Sequence, residues 1–126
     1  MHYRNNLFLG RDTPEKGIMR VGNATDINTS DYNGYRPNKG VKEQYGWLFP
    51  PKGQKIYEAK PGDWKTFATL AEFQAATGQE THSLEVDYDI FEGLKPPDPS
   101  KIHAVYHAMD INLNLKPGGN AVAAGI

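Results

Sequence analysis

Two stretches decide how this chain is read: Asn5-Asn6-Leu7-Phe8-Leu9-Gly10 and Ser30-Asp31-Tyr32-Asn33-Gly34-Tyr35. Each sets Asn or Asp beside aromatic and aliphatic residues in a short extended segment. They lie about one coil apart, within the ~20–30-residue period of short-repeat solenoids. A third stretch, Val86-Asp87-Tyr88-Asp89-Ile90-Phe91, carries the same pattern after a wider gap that can hold an insertion. Asn side chains stacked between coils hydrogen-bond backbone groups left open where a strand turns a corner, which accounts for Asn and Asp at strand ends.

The gap has its own elements. Tyr45–Phe49 and Lys55–Ala59 read as two strands around Pro50-Pro51-Lys52-Gly53, where Pro51 suits the first central position of a type I turn and Gly53 closes it. A β-hairpin excursion is expected there. Thr69-Leu70-Ala71-Glu72 matches a capping box. Leu70, Phe73 and Thr77 then share one helical face, and Gly78 can end the helix in the left-handed region. A helix this short must be held by packing. Lys95–Pro99 is a loop, with prolines at 96, 97 and 99. Beyond it, Ile102, Val105, Tyr106 and Met109 fall at helical spacing behind Ser100, so a second short helix is expected. Ile111, Leu113 and Leu115 alternate with Asp110, Asn112 and Asn114 as in a half-buried strand. Lys116-Pro117-Gly118-Gly119 turns the chain into its last small residues.

At 126 residues the chain has room for one domain, residues 1–126. Its hydrophobic share is 38%, low for a compact globule, while 13 Gly and 9 Pro imply short elements joined by many turns. Repetitive all-β architecture suits that balance better than a helical bundle. The formal charge is −1, with 14 basic and 15 acidic side chains interspersed, so the footprint of nucleic-acid binding is missing. No apolar run reaches the length of a membrane span. Without Cys there are no disulfides, thiolate catalysis or Cys-based zinc sites. Met1-His2-Tyr3-Arg4-Asn5-Asn6 has no signal-peptide core, which leaves two readings open: a cytoplasmic protein, or a fragment of something longer.

The order of these pieces resembles the last coils of right-handed parallel β-helix proteins related to pectate and alginate lyases. Asn5-Asn6-Leu7-Phe8 is similar to a coil strand of that family, followed by Ser30-Asp31-Tyr32-Asn33. The short helix from Phe67 to Gly78 leads into Gln79-Glu80-Thr81-His82-Ser83, similar to the family's Gly-Gln-acidic-x-His-Ser turn. Asp87-Tyr88-Asp89-Ile90-Phe91 resembles the next strand, with Tyr88 in place of a usual Pro. Leu115–Gly125 resembles the closing segment, though Gly119, Asn120 and Ala123 stand where Ser, Pro and Asp are usual. The resemblance implies an all-β fold, a short right-handed parallel β-helix segment with a hairpin excursion and one or two short helices. It also implies secretion or a periplasmic location if the chain belongs to a longer protein. The family's catalytic bases and calcium ligands lie on earlier coils, and no residue here matches them.

Tyr35, Arg36, Trp47 and Tyr57 are the candidates for carbohydrate binding, because aromatic faces stack on pyranose rings and Arg pairs with a uronate carboxylate. The competing and preferred reading makes these aromatics packing residues on a coil flank. His103 and His107 at i, i+4 with Asp110 can in principle hold Zn²⁺, but the Glu of a zincin motif is missing, and a polar helix face is preferred. Asp26, Asp31, Glu85, Asp87 and Asp89 are the carboxylates available for glycoside hydrolysis; strand-end hydrogen bonding explains them equally well. His82 and Ser83 are neighbours on an extended segment and point to opposite faces, poorly placed to act as base and nucleophile. No metal and no cofactor is expected.

The leading expectation is a non-catalytic β-helix terminal module, acting in carbohydrate binding or in assembly, with acidic polysaccharide as the candidate ligand. The alternative is a polysaccharide lyase or glycoside hydrolase of the parallel β-helix type whose groove is completed by missing coils or a partner chain. A third is a cytoplasmic ligand-binding module. Because Leu7, Phe8 and Leu9 already read as a coil strand, the N-terminal coil is expected to be covered by another copy in a homo-oligomer, with no membrane and no nucleic acid as partners.

Overall fold

The spacing between the two Asn-bearing stretches becomes a register. The computed structural model describes residues 2–12, 16–22, 28–48, 58–101, 103–105 and 107–125. In it β1 (His2–Arg4) pairs in parallel with β4 (Thr29–Asp31), and β2 (Leu7–Leu9) with β5 (Gly34–Arg36), both at an offset of 27 residues. Alongside, β3 (Met19–Val21) pairs in parallel with β6 (Tyr45–Leu48) at an offset of 26. Below β5 runs β8 (Leu84–Glu85), parallel again at an offset of 50. Among the described strands only β7 (Trp64–Phe67) is antiparallel, lying along β6. The fold is mostly β with few helices, built as three small sheets.

With β1–β3 called the first tier, β4–β6 the second and β8 the third, the first two tiers share one kind of corner. Asn5 and Tyr32 occupy equivalent positions between the first and second strands of their tiers, and both are left-handed, at φ 56° and 57°. That conformation suits Asn and is uncommon for Tyr. One residue on, Asn6 lies over Asn33: Asn6 N and Nδ2 both donate to Asn33 Oδ1 at 3.0 Å, while Asn33 Nδ2 donates to Tyr3 O at 3.2 Å. Asn6 Nδ2 likewise reaches Arg4 O at 3.0 Å. The corner carbonyls expected to need Asn receive it.

Alternation along the middle sheet then sorts side chains to two cores. Phe8 and Tyr35 face inward and stack, with centroids 5.0 Å apart and planes 6° from parallel. They join Met19, Val21, Tyr45, Trp47, Leu48, Leu70 and Phe73 in the main cluster. Leu9, Leu84 and Val86 face outward and pack with Ile90, Phe91, Leu94 and Ala121. The middle sheet is therefore covered on both faces.

Between the second and third tiers the chain makes its excursion. Helix α1 (Leu70–Thr77) begins at the expected capping box, where Glu72 N donates to Thr69 Oγ1 and Thr69 N to Glu72 Oε2, and it ends at Gly78 with φ 66°. Phe73, fully buried, inserts its ring among Tyr45, Trp47 and Phe67 at 5.6–5.7 Å and plugs the interior beneath the second tier.

Four expected elements are placed differently. The partner of β6 is Trp64–Phe67, entered from a tight turn over Pro61–Asp63, and not Lys55–Ala59. This pairing sets Phe67 opposite Tyr45, where it touches Phe73; residues 49–57 lie outside the described residues. The third repeat is also shifted. Tyr32 and Asn33 are followed in the stack by His82 and Ser83, whereas Val86–Phe91 bends away through a 3-10 turn at Tyr88–Ile90. Finally, the helix behind Ser100 is reduced, among the described residues, to a 3-10 turn at Ala108–Asp110. Val105 and Met109 of its apolar face are 82% and 96% exposed and have nothing to pack on, while Ile102 and Tyr106 lie outside the described residues. The alternating strand after it shrinks to one antiparallel bridge, Phe91 with Leu115.

The cap of α1 gives a direct test. Thr69→Ala removes the acceptor for Glu72 N–H and should lower unfolding free energy by about 1 kcal/mol in urea titration.

Candidate functional site

The arginine singled out for ligand binding lies inside the molecule. Arg36 projects from β5 to the outer face of the middle sheet and is 3% exposed. Its Nη1 and Nη2 donate to Asp12 Oδ1 and Oδ2 at 3.0 and 2.9 Å, its Nε to Asp87 Oδ1 at 2.6 Å, and Nη1 also to Gly10 O at 2.5 Å. The Tyr88 ring lies 5.1 Å from the guanidinium carbon. Four of its five N–H donors are thus engaged. Hydrogen bonding to Arg36 holds the carboxyls of Asp12 and Asp87 below the usual range, and the same bonds raise the Arg36 pKa despite burial. Tyr35 and Trp47 are 0% and 5% exposed, packed on Phe8 and Phe73, and Tyr57 lies outside the described residues. The structure does not bring Tyr35, Arg36 and Trp47 to a common surface.

Of the candidate carboxylates, Asp31, Glu85 and Asp87 have structural partners. Asp31 accepts from His82 N, and Asp31 Oδ2 lies 2.7 Å from His82 Nδ1. Burial opposes ionisation of Asp31, but these bonds and that from Tyr32 N outweigh it and keep its carboxyl below the ordinary range. His82 also stacks on Tyr32 with centroids 4.6 Å apart. Ser83 turns the other way and donates to Glu80, so His82 and Ser83 do not meet. Glu85 is exposed, with Tyr45 Oη at 3.4 Å, and Asp89 is exposed; Asp26 lies outside the described residues. His103, His107 and Asp110 sit in exposed turns, and among the described residues no three His, Cys, Asp or Glu side chains are grouped to hold a metal.

Sequence reasoning missed the central polar group, Glu80. Its carboxylate is fully buried and accepts from Ser30 Oγ, Ser83 Oγ, Tyr35 Oη at 2.7 Å and Asn33 Nδ2 at 3.0 Å. Burial and then the bond to Glu80 push the Tyr35 phenol up, so it stays a donor. The turn Gln79–Ser83 was legible as a motif, but nothing in it marks Glu80 as the buried acid.

What remains accessible is the edge of the first tier. Strands β1, β2 and β3 each have one neighbour, on the second-tier side, among the described residues. Asn6 O and Gly10 N are bonded to the second tier, so alternation turns the N–H and C=O groups of Leu7 and Leu9 to the open side. Leu7 is 45% exposed, and the side-chain Oδ1 of Asn6, equivalent to the Asn33 Oδ1 acceptor below it, has no donor among the described residues. A cleft of about 190 Å³ runs beside this edge, between Leu7, Gly34 and Leu84 and the tail residues Ala121, Ala124 and Gly125. No helix among the described residues is long and apolar enough to cross a membrane. No protein-family model, curated protein or solved structure matches the chain.

The Arg36 fork carries a pH prediction. Asp12 and Asp87 have depressed folded pKa values, so their contribution is complete above the unfolded value of ~3.9 and is lost as pH falls through the lower folded values. Urea midpoints should fall between pH 5 and pH 2, and Arg36→Met should flatten that part of the profile while lowering stability at neutral pH.

Proposed function

We propose that the chain is a non-catalytic terminal module of a parallel β-helix, working in assembly through the edge of its first tier. The observation that carries this reading is the one-sided pairing of β1, β2 and β3 together with the half-exposed Leu7. The β-helix part is supported by the recurring parallel offsets of 27 and 26 residues, the paired left-handed corners at Asn5 and Tyr32, and the Asn6–Asn33 ladder. An uncovered row of backbone donors and acceptors is a template for another strand. The occupant we assign is a second copy, in a two-fold arrangement that buries both edges and leaves none to grow from. The engagement of Asp31 by His82 and of Asp87 by Arg36 supports a structural rather than a hydrolytic role for these acids.

Leu7→Lys places a charge on the open edge without altering the bonds between tiers. Light scattering at micromolar concentration should give about twice the 14.0 kDa chain mass for the wild type and the single-chain mass for Leu7→Lys, with unchanged circular dichroism. A wild-type monomer across that concentration range would remove the assembly reading.

A further inference from the structure

Two of the strand arginines are held in opposite ways. Arg36 spends its donors on Asp12, Asp87 and Gly10. Arg20, in the middle of β3, is held by packing alone. Its stem lies across Gly46, its register partner, where an added Cβ would sit 3.1 Å from Arg20 Cγ. Its guanidinium carbon lies 4.3 Å from the centre of the Trp64 ring. Among the described residues no hydrogen-bond acceptor and no carboxylate partner meets Arg20. A planar guanidinium fixed on an aromatic face, with its edge donors unspent, is preorganised for an oxyanion, because little side-chain freedom remains to be lost on binding.

Arg20 lines a groove of about 810 Å³ whose other charged residues are Lys16, Lys42 and Glu43. Neither lysine is ion-paired among the described residues. Three cations against one acid favour a doubly charged group over a single carboxylate. Thr66, which faces Gly46 across the sheet and is exposed in the groove, adds a hydroxyl donor. The groove exceeds the size of a bare ion, leaving room for the body of a small molecule.

We infer that the groove between Lys16, Arg20 and Lys42 binds a small ligand bearing a dianionic phosphoryl or sulfuryl group, with the Arg20 fork as its receptor. The site lies on the outer face of the third sheet, and its Arg20 belongs to β3, whose backbone edge is part of the proposed assembly edge.

Calorimetric titration of the full chain at low salt with inorganic phosphate, glucose 6-phosphate, glucose 6-sulfate, glucuronate and glucose tests this. Phosphate and the two esters should bind with affinity that falls as salt rises, glucuronate should bind at least about 10-fold more weakly, and glucose should not bind. Arg20→Ala should weaken the dianions by about 10-fold or more, the scale of losing charge-assisted hydrogen bonds. Arg20→Lys should recover part of the loss, and Gly46→Ala, which displaces the Arg20 stem, should weaken binding while leaving circular dichroism intact. Equal affinity for free phosphate and the esters assigns recognition to the oxyanion alone; tighter ester binding adds the groove walls. Absence of dianion binding, equal binding of glucuronate, or affinity unchanged in folded Arg20→Ala would overturn the proposal.

Discussion

A single buried carboxylate joins the parts of this fold that the backbone ladders leave separate. Glu80 is enclosed, and no cation is among its hydrogen-bond partners; four neutral donors come to it from the end of one strand, the corner after it, the next strand and the following tier. Its backbone is equally committed. Glu80 N donates to Ser30 O at 2.7 Å, and Glu80 O accepts from Gln74 Nε2 of the helix at 2.5 Å. Helix, second tier and third tier therefore meet at one residue. A carboxylate in such a place is tolerated only when its acceptors are filled, and each donor it leaves unmet would carry its own desolvation cost.

The other features follow from where that clamp sits. By fixing β8 under β5, it gives the middle sheet its third strand and thereby an outward face long enough to hold Leu84 and Val86 beside Leu9. The second core and the Arg36 fork both lie on that outward face, which turns Arg36 into a strut between Asp12 of the first tier and Asp87 beyond the third. Among the described residues nothing comparable closes the top. Asn33 is bonded from above by Asn6 and from below by Glu80, whereas among the described residues the Asn6 side chain bonds Asn33 below it and Arg4 of its own tier. The asymmetry of the stack is thus visible in one column of side chains.

Much of the local structure was legible. The capping box at Thr69 and Glu72, the left-handed Gly78 and the register of the first two Asn-bearing stretches depend on interactions among residues near in sequence or on a short period, and each is in place. What failed was decided by tertiary competition. Lys55–Ala59 and Trp64–Phe67 are both strand-like, and the choice went to the segment that delivers Phe67 to Phe73. Val105 and Met109 stand at helical spacing but find no surface to pack on, as their exposure records. Of the carbohydrate candidates, Tyr35, Arg36 and Trp47 have the composition of a sugar site, and burial gives them structural work instead. Glu80 was hidden because an acid in a Gly-Gln-acidic turn reads as surface; its donors come from residues 45 to 50 positions away and from Ser83. The groove at Arg20 was invisible because it needs Gly46 and Trp64, which only strand register brings beside it.

The claim that Glu80 clamps the tiers is tested by urea unfolding of Glu80→Ala and Glu80→Gln against Glu92→Ala, an exposed acid on the same chain. Glu80→Ala leaves the donors of Ser30, Asn33, Tyr35 and Ser83 without their acceptor, so it should cost at least about 3 kcal/mol. Glu80→Gln, which keeps one acceptor oxygen, should fall between. Glu92→Ala should stay within about 0.5 kcal/mol of wild type. A midpoint for Glu80→Ala matching that of Glu92→Ala would contradict the clamp.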